Sequence, residues 1–157
     1  MQSKFFNHQG ASLHYQIGGK EAASVMVLLH GGFGSIADFE PLLPRLLQHY
    51  RVIAVDTRGH GRSTLGTTAL TYAQAADDVR QILRNESVEN YSLFGFSDGG
   101  ITAYHLGAED ENVEKIITVG AEWHQKHLNR VRSMFEALNL NIVKEKLSEQ
   151  LAAYQAA

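Results

Sequence analysis

Four short apolar runs divide the chain, and segments with helical spacing separate them. The runs are Val25–His30, Arg51–Asp56, Tyr91–Phe96 and Lys115–Val119. Continuous apolar runs of this length, bounded by glycine or polar turns, are typical of strands buried on both faces of a sheet. Two shorter β-leaning runs, Lys4–Phe6 and Ser12–Ile17, come first and are separated by Asn7, Gln9 and Gly10. They predict an antiparallel hairpin at the start of the chain.

Helical patterns fill the gaps between these strands. Apolar residues from Phe39 to Leu47 predict a helix that ends near Tyr50, provided that Pro41 sits in its first turn. Thr71 has the spacing of a helix cap, and an apolar face follows it to Leu83. Residues 99–108 predict a third helix. Strand and helix therefore alternate, which predicts an α/β fold with a mostly parallel, doubly wound sheet and an N-terminal antiparallel hairpin.

The pattern changes after residue 121. From Glu122 onward the spacing stays helical, with one apolar stripe over Leu128–Leu138 and another over Val143–Tyr154, and no strand-like run follows Val119. We expect an α/β core at residues 1–121 and a helical, cap-like segment at residues 122–157.

Composition narrows the classes of function. The chain has 157 residues, of which 44% are hydrophobic and 20% charged, and its net charge is −3. This balance fits one globular domain and gives no basic surface for nucleic acid. The absence of cysteine excludes disulfides and thiolate chemistry. Residues 1–6 resemble neither a signal peptide nor a membrane span, so we expect a cytoplasmic protein without membrane contact.

The segment Gly95-Phe96-Ser97-Asp98-Gly99 carries the strongest sign of chemistry. It lies between a predicted buried strand and a predicted helix, the context in which G-x-S-x-G forms a nucleophile elbow. There the Ser97 hydroxyl would be exposed above the sheet, and the Asp98 backbone N–H would face a developing negative charge. The alternative is a glycine-rich turn in which Ser97 only caps the helix.

A second glycine-rich segment, His30-Gly31-Gly32-Phe33, follows the first buried strand. Its exposed backbone N–H groups can supply the other half of an oxyanion hole, with Gly32 the best donor and Phe33 the next. A phosphate loop is the rival interpretation, but the spacing is wrong and no lysine follows. We expect His30 to make structural hydrogen bonds beneath the loop.

A third segment, Asp56-Thr57-Arg58-Gly59-His60-Gly61-Arg62-Ser63, again follows a strand. In their order and separation the three segments resemble the α/β-hydrolase fold family, over about the first 120 residues, and the region around Ser97 is similar to esterases of the valacyclovir hydrolase and biphenyl-hydrolase type. The resemblance implies that Ser97 is the nucleophile, that Gly32 or Phe33 acts with Asp98 on the oxyanion, and that residues 56–63 form a structural loop. We expect Arg58 to pair locally.

The sequence departs from this family where the catalytic triad should be completed. Members place an acid and then a histidine after later strands, and two more strand–helix units would need about 60 residues at about 30 each. The chain has fewer residues than this after Val119. We therefore expect an incomplete α/β-hydrolase fold, with three explanations open: a truncated chain, a site completed by a partner chain, or a base improvised from the histidines present.

Four residues are candidates for an improvised acid and base: Glu122 as the acid, and His60, His124 or His127 as the base. The alternative for Glu122, His124 and His127 is a solvated start of a helix. A metal site at His124 and His127 lacks a third ligand, so we expect no metal and no organic cofactor.

The sequence therefore predicts a serine hydrolase that acts on a small ester, thioester or amide through an acyl-enzyme. The alternative is a non-catalytic remnant or binding module of the same fold. The Asp98 carboxylate either attracts a cationic amine on the substrate or only favours the helix N-terminus. Because Ile116, Ile117 and Val119 would leave an apolar sheet edge, self-association of the chain is a further expectation.

Overall fold

The computed structural model describes residues 1–122, and Met1–Ala121 form one compact unit. The two helices expected over Leu128–Leu138 and Val143–Tyr154 lie outside the described residues, as does almost all of the expected segment 122–157.

Six strands of the described residues form a single sheet. They are β1 (Gln2–His8), β2 (Ala11–Gly19), β3 (Val25–Leu29), β4 (Arg51–Val55), β5 (Tyr91–Phe96) and β6 (Val113–Val119). Their order across the sheet is β1-β2-β4-β3-β5-β6. β1 pairs antiparallel with β2, and β2 pairs antiparallel with β4, whereas β4, β3, β5 and β6 are parallel. The predicted fold class is confirmed.

Apolar layers on both faces explain why the inner strands are apolar throughout. The helices are α1 (Leu43–Leu46), α2 (Tyr72–Asn85) and α3 (Asp98–Glu109), and a 3-10 turn covers Ile36–Phe39. Alternate residues of a strand point to opposite faces. On one face Val27, Ile53 and Leu93 belong to the layer that α2 and α3 cover, and on the other Met26 and Leu28 pack with the 3-10 turn.

The helix predicted after β3 is the main error of the sequence analysis. A single helix from Phe39 to near Tyr50 was expected, but the structure has the 3-10 turn and then the four-residue α1. Pro41 lies between them, and Pro44 is in the first turn of α1. Proline has no N–H to donate, so each of the two prolines removes one hydrogen bond of a helical ladder, and two such gaps three residues apart break the helix.

The other two helices begin within one residue of where the sequence predicts. The Thr71 side chain accepts a hydrogen bond from the Gln74 backbone N–H and starts α2, which buries its apolar face against the sheet. Helix α3 begins at Asp98, directly after Ser97. No helix of the described residues is long and apolar enough to cross a membrane.

Strand β6 is the outermost described strand on its side of the sheet. Ile116, Ile117 and Val119 are 38%, 46% and 49% exposed. The apolar residues expected at this edge are therefore exposed in the structure.

Candidate active site

Ser97 lies in the sharp turn that joins β5 to α3. Its backbone has φ 49° and ψ −116°, a left-handed conformation that costs energy for any residue with a Cβ. Two hydrogen bonds hold the turn: Ser97 N–H donates to the Val119 carbonyl at 2.9 Å, and Gly100 N–H donates to the Ser97 carbonyl at 2.9 Å. This is the geometry of a nucleophile elbow.

The two glycines that flank the elbow are required by close packing. A Cβ on Gly95 would lie 2.5 Å from the Gly99 carbonyl oxygen, and a Cβ on Gly99 would collide with the carbonyls of Leu29 and His30. These contacts are with backbone, which cannot rotate away. Gly95 and Gly99 therefore let α3 approach the ends of β3 and β5, and this approach fixes the position of Ser97.

The glycine-rich loop after β3 folds toward the same turn. Gly34 N–H donates to the Gly31 carbonyl at 3.1 Å, and Phe33 takes a positive φ of 59°. A Cβ on Gly31 would lie 3.2 Å from the Ser97 Cβ, and a Cβ on Gly32 would lie 2.5 Å from Asp98 Oδ2. The loop backbone therefore comes within van der Waals distance of the elbow.

His30 supports this loop from beneath, as expected. Its Nε2 accepts a hydrogen bond from Thr57 N–H at 3.0 Å, so Nδ1 carries the proton that goes to the Gly31 carbonyl at 2.7 Å. Burial lowers the pKa of His30, by more than the hydrogen bond to Gly31 raises it. A neutral imidazole that uses both nitrogens in this way has a structural role.

A cavity of about 440 Å³ opens beside the elbow. Its walls come from the loop after β3, the loop after β4 and the starts of α2 and α3, and include His30, Gly31, Gly32, Thr57, His60, Leu70, Thr71, Tyr72, Ala75, Asp98, Gly99 and Thr102. Ser97 is not among these wall residues, but its neighbours Asp98 and Gly99 are. The volume is within the range of small-molecule sites.

Tyr72 and Asp98 form a polar pair on the wall of this cavity. The Tyr72 hydroxyl donates to Asp98 Oδ1 at 2.9 Å. Burial, together with the hydrogen bond and the negative charge of Asp98, raises the pKa of Tyr72 to about 12. Because Tyr72 engages one carboxylate oxygen and Gly32 lies against the other, the Asp98 side chain has a defined position.

The loop after β4 is held by buried polar side chains. Asp56 accepts from Ile36 N–H at 2.8 Å, from Arg62 N–H at 2.9 Å and from His14 Nδ1 at 2.6 Å. Burial alone would raise the pKa of Asp56, but these hydrogen bonds together hold it below the ordinary value. Arg58, fully buried, donates through Nε and Nη2 to the two oxygens of Asp78 at 2.8 and 2.6 Å. The local pairing expected for Arg58 is confirmed.

The structure brings some of the predicted site residues together and not others. Gly32, Phe33, Ser97 and Asp98 lie at one end of the sheet, around the elbow. Within residues 1–122, no hydrogen bond joins Ser97 Oγ to another side chain, and no group of three potential metal ligands occurs. Glu122 falls in a separate compact unit from Met1–Ala121.

The histidine candidates have different outcomes. His124 and His127 lie outside the described residues. His60 lines the cavity, and its Nδ1 is 3.0 Å from the Arg58 carbonyl, which leaves Nε2 as the acceptor nitrogen of the neutral ring.

Three polar partners were missed by the sequence analysis: Tyr72, Asp78 and His14. Asp78 could have been found, because a carboxylate on the apolar face of α2 needs a buried cation. Tyr72, in the first turn of α2, is 40% exposed and contacts Asp98. His14 lies within β2 and gave no sign of its partner 42 residues away.

The alpha/beta hydrolase fold family matches residues 24–145. Among curated proteins, 3-oxoadipate enol-lactonase 1 of Acinetobacter baylyi is 36% identical over 101 residues, which cover 64% of this chain and 38% of that protein. Esterase YbfF of Escherichia coli is 28% identical over 131 residues, covering 83% and 51%.

A solved carboxylesterase structure from the thaumarchaeon Nitrososphaera gargenis superimposes with a TM-score of 0.76 at 28% identity, over 85% of this chain and 52% of that one. The chain thus spans at most about half the length of the relatives named here. The family match covers the loop after β3, the loop after β4 and the elbow, which are the three segments that form the site. The chain belongs to the alpha/beta hydrolase fold family.

Proposed function

We propose that the protein is a serine hydrolase whose nucleophile is Ser97. The observation that carries this proposal is the left-handed backbone of Ser97, with φ 49°, between β5 and α3. A residue with a Cβ is kept in such a conformation only where the surrounding structure imposes it, and such strain is concentrated at functional sites. The enol-lactonase and esterase relatives support hydrolysis as the reaction class.

The oxyanion would bind to backbone N–H groups on either side of the nucleophile. The Asp98 N–H is the first of α3, so it has no acceptor within the helix and lies at the positive end of the helix dipole. The Gly32 N–H, or that of Phe33, lies in the loop packed against Asp98. Donors fixed by the fold need no reorganisation when charge develops on the substrate oxygen.

The cavity beside the elbow would receive a small ester, thioester or amide. Asp98 and Tyr72 give its wall one negative charge, which can attract a cationic group on the substrate. Asp98→Asn should then raise KM for an ester that carries an amine and leave KM for its neutral analogue unchanged. Equal KM changes for both esters would limit Asp98 to stabilising the helix N-terminus.

A serine nucleophile needs a general base. Within residues 1–122, no imidazole hydrogen-bonds to Ser97 Oγ. The proposal keeps Glu122 with His124 or His127 as acid and base, and His60 as the other base on the cavity wall. The same observation favours one alternative: a non-catalytic binding module in which the elbow and cavity persist without a base.

Turnover of p-nitrophenyl acetate separates the two functions. Without a base, an oxyanion hole and binding alone leave roughly 10³- to 10⁴-fold acceleration over water. A working hydrolase should exceed this level and fall to it in Ser97→Ala. Replacing the true base, in His60→Ala, His124→Ala or His127→Ala, should lower the rate about as far, because residues that act as a unit fail together. If the rate never exceeds that level and Ser97→Ala leaves it unchanged, the binding module is the correct function.

We also propose that residues 122–157 form a separate helical, cap-like segment and that the chain self-associates through β6. An apolar strand edge invites pairing with another strand, and Ile116, Ile117 and Val119 are exposed there. Sedimentation at micromolar concentration should show a dimer or larger species, and Ile117→Lys should convert it to a monomer. A wild-type chain that sediments as a monomer would contradict the association.

A further inference from the structure

A Ser–His–Asp arrangement lies away from the elbow, in the part of the sheet formed by β1, β2 and β4. Ser3 Oγ is 2.7 Å from His14 Nε2, and His14 Nδ1 is 2.6 Å from Asp56 Oδ2. Both distances are within the 2.6–3.2 Å that marks a nucleophile, its base and the group that orients the base. None of these three residues lines the cavity beside Ser97.

The directions of the hydrogen bonds match those roles. Asp56 is held ionised by donors from Ile36, Arg62 and His14, so its oxygens only accept. His14 Nδ1 must therefore carry the proton that goes to Asp56, and Nε2 of the neutral ring is an acceptor. The Ser3 hydroxyl donates to it. An aspartate that fixes the imidazole tautomer in this way is the orienting member of a catalytic triad.

The sheet holds the base rigidly and leaves the nucleophile accessible. His14 and Asp56 are 1% and 2% exposed, and Asp56 N–H donates to the His14 carbonyl at 3.0 Å. Phe5, opposite His14 in the β1–β2 ladder, packs its ring 5.0 Å from the imidazole. Ser3 lies two residues before Phe5, so it shares the face of β1 that meets His14. Ser3 itself is exposed.

Arg62 adds a positive charge at the nucleophilic oxygen. Its Nη1 is 3.1 Å from Ser3 Oγ, and its guanidinium lies 5.0 Å above the Phe5 ring. A cation at this place stabilises negative charge that develops when Ser3 attacks. Arg62 Nη1 is also 3.4 Å from His14 Nε2. Since Arg62 is exposed, solvent screens its charge.

We propose that Ser3 is a second nucleophilic serine, which accepts acyl and phosphonyl groups from activated reagents with His14 as its general base and Asp56 as the residue that orients His14. With an alkyl fluorophosphonate, Ser3 Oγ forms a bond to phosphorus as the P–F bond breaks. Fluoride leaves with the bonding electrons, and His14 Nε2 takes the hydroxyl proton and passes it to water. The proposal does not depend on Ser97.

The experiment uses the full chain with Ser97→Ala, so that the elbow cannot react, and a fluorophosphonate, which spares amines. Peptide mass spectrometry follows phosphonylation at Ser3 and at Ser24, an exposed serine directly before β3. Ser24 is the matched control because, among the described residues, no imidazole hydrogen-bonds to its side chain. General-base catalysis contributes 10²- to 10⁴-fold, so we expect Ser3 to react at least about 100-fold faster than Ser24.

Two variants localise the effect. Ser3→Ala in the otherwise unchanged chain should remove the label from the N-terminal peptide and leave labelling of Ser97 as it is. His14→Gln in the Ser97→Ala chain should lower the Ser3 rate to that of Ser24. If this variant does not fold, the ratio of the labelling rates at Ser3 and Ser24 in the Ser97→Ala chain is sufficient to test the proposal. Equal rates at Ser3 and Ser24 would overturn the proposal, whatever is found at Ser97.

Discussion

The turns after β4 and β5, both at the carboxyl ends of parallel strands, use polar residues in opposite ways. In the loop after β4, Asp56 and Arg58 are buried and hydrogen-bonded in the structure. In the elbow after β5, Ser97 has strained backbone, and its hydroxyl is not hydrogen-bonded to any side chain within residues 1–122. The buried contacts of Asp56 and Arg58 stabilise the fold, whereas the strained backbone of Ser97 is kept in place by the fold around it. Motifs of equal prominence in the sequence can therefore have unlike roles.

The largest effect should come from the loop after β4. Arg58→Ala would leave the Asp78 carboxylate buried without its partner, and breaking a buried ion pair on one side costs about 3–5 kcal/mol. The free energy of unfolding in urea measures this loss. Arg84→Ala is the control, since Arg84 is an exposed residue of α2 and should change stability by less than about 0.5 kcal/mol. Similar losses in both variants would show that the Arg58–Asp78 pair is not special.

The close packing that positions the elbow should give the next largest effect. Gly99→Ala places a Cβ against the backbone carbonyls of Leu29 and His30, and such overpacking typically costs about 1–3 kcal/mol. Gly107→Ala, in the same helix, places its Cβ against side chains and not against backbone, with the nearest atom at the flexible end of Ile116. There the gain in helix propensity, up to about 1 kcal/mol, should leave the protein as stable or more so. Thermal unfolding of the pair tests this, and equal shifts would contradict it.

The effect of relieving backbone strain at Ser97 should be smaller and of opposite sign. Ser97→Gly removes the Cβ from a left-handed backbone, so we expect the free energy of unfolding to rise by about 1 kcal/mol while the reactivity of the elbow is lost. In Ser24→Gly, at a residue without positive φ, the added freedom of the unfolded chain should lower stability instead. A destabilised Ser97→Gly would mean that the elbow is not strained.

The smallest effect should be a dependence of folding stability on pH that comes from His30. Because burial lowers the pKa of His30 below 6.5, the unfolded chain takes up a proton that the folded protein resists. Stability should therefore fall as the pH drops below about 6.5. The carboxylates titrate only at lower pH, because the pKa values of the aspartates lie below 3.8 and that of the glutamate below 4.5; these residues are Asp56, Asp77, Asp110 and Glu86. Tm measured between about pH 7 and about pH 5 should show this slope in wild type and not in His30→Asn.

The sequence predicted those parts of the molecule that depend on local pattern. β5 was predicted with its observed ends, and the elbow was predicted because G-x-S-x-G follows a strand. The prediction of a single helix after β3 was wrong, because Pro41 and Pro44 interrupt the helix that the apolar spacing alone favours. Contacts between Tyr72 and Asp98, or between His14 and Asp56, join residues 26 and 42 positions apart. Only the folded sheet brings such side chains together, so no local pattern indicates them.

The central claim is that the strained serine of the elbow is the nucleophile of the proposed hydrolase. Its most direct test is the rate of fluorophosphonate labelling at Ser97 in the wild-type chain, measured against Ser24 by peptide mass spectrometry. Because general-base catalysis contributes at least about 100-fold, the account predicts that Ser97 is labelled by that factor or more over Ser24, and that Gly99→Ala, if folded, loses most of the difference. Labelling of Ser97 at the rate of Ser24 would contradict it.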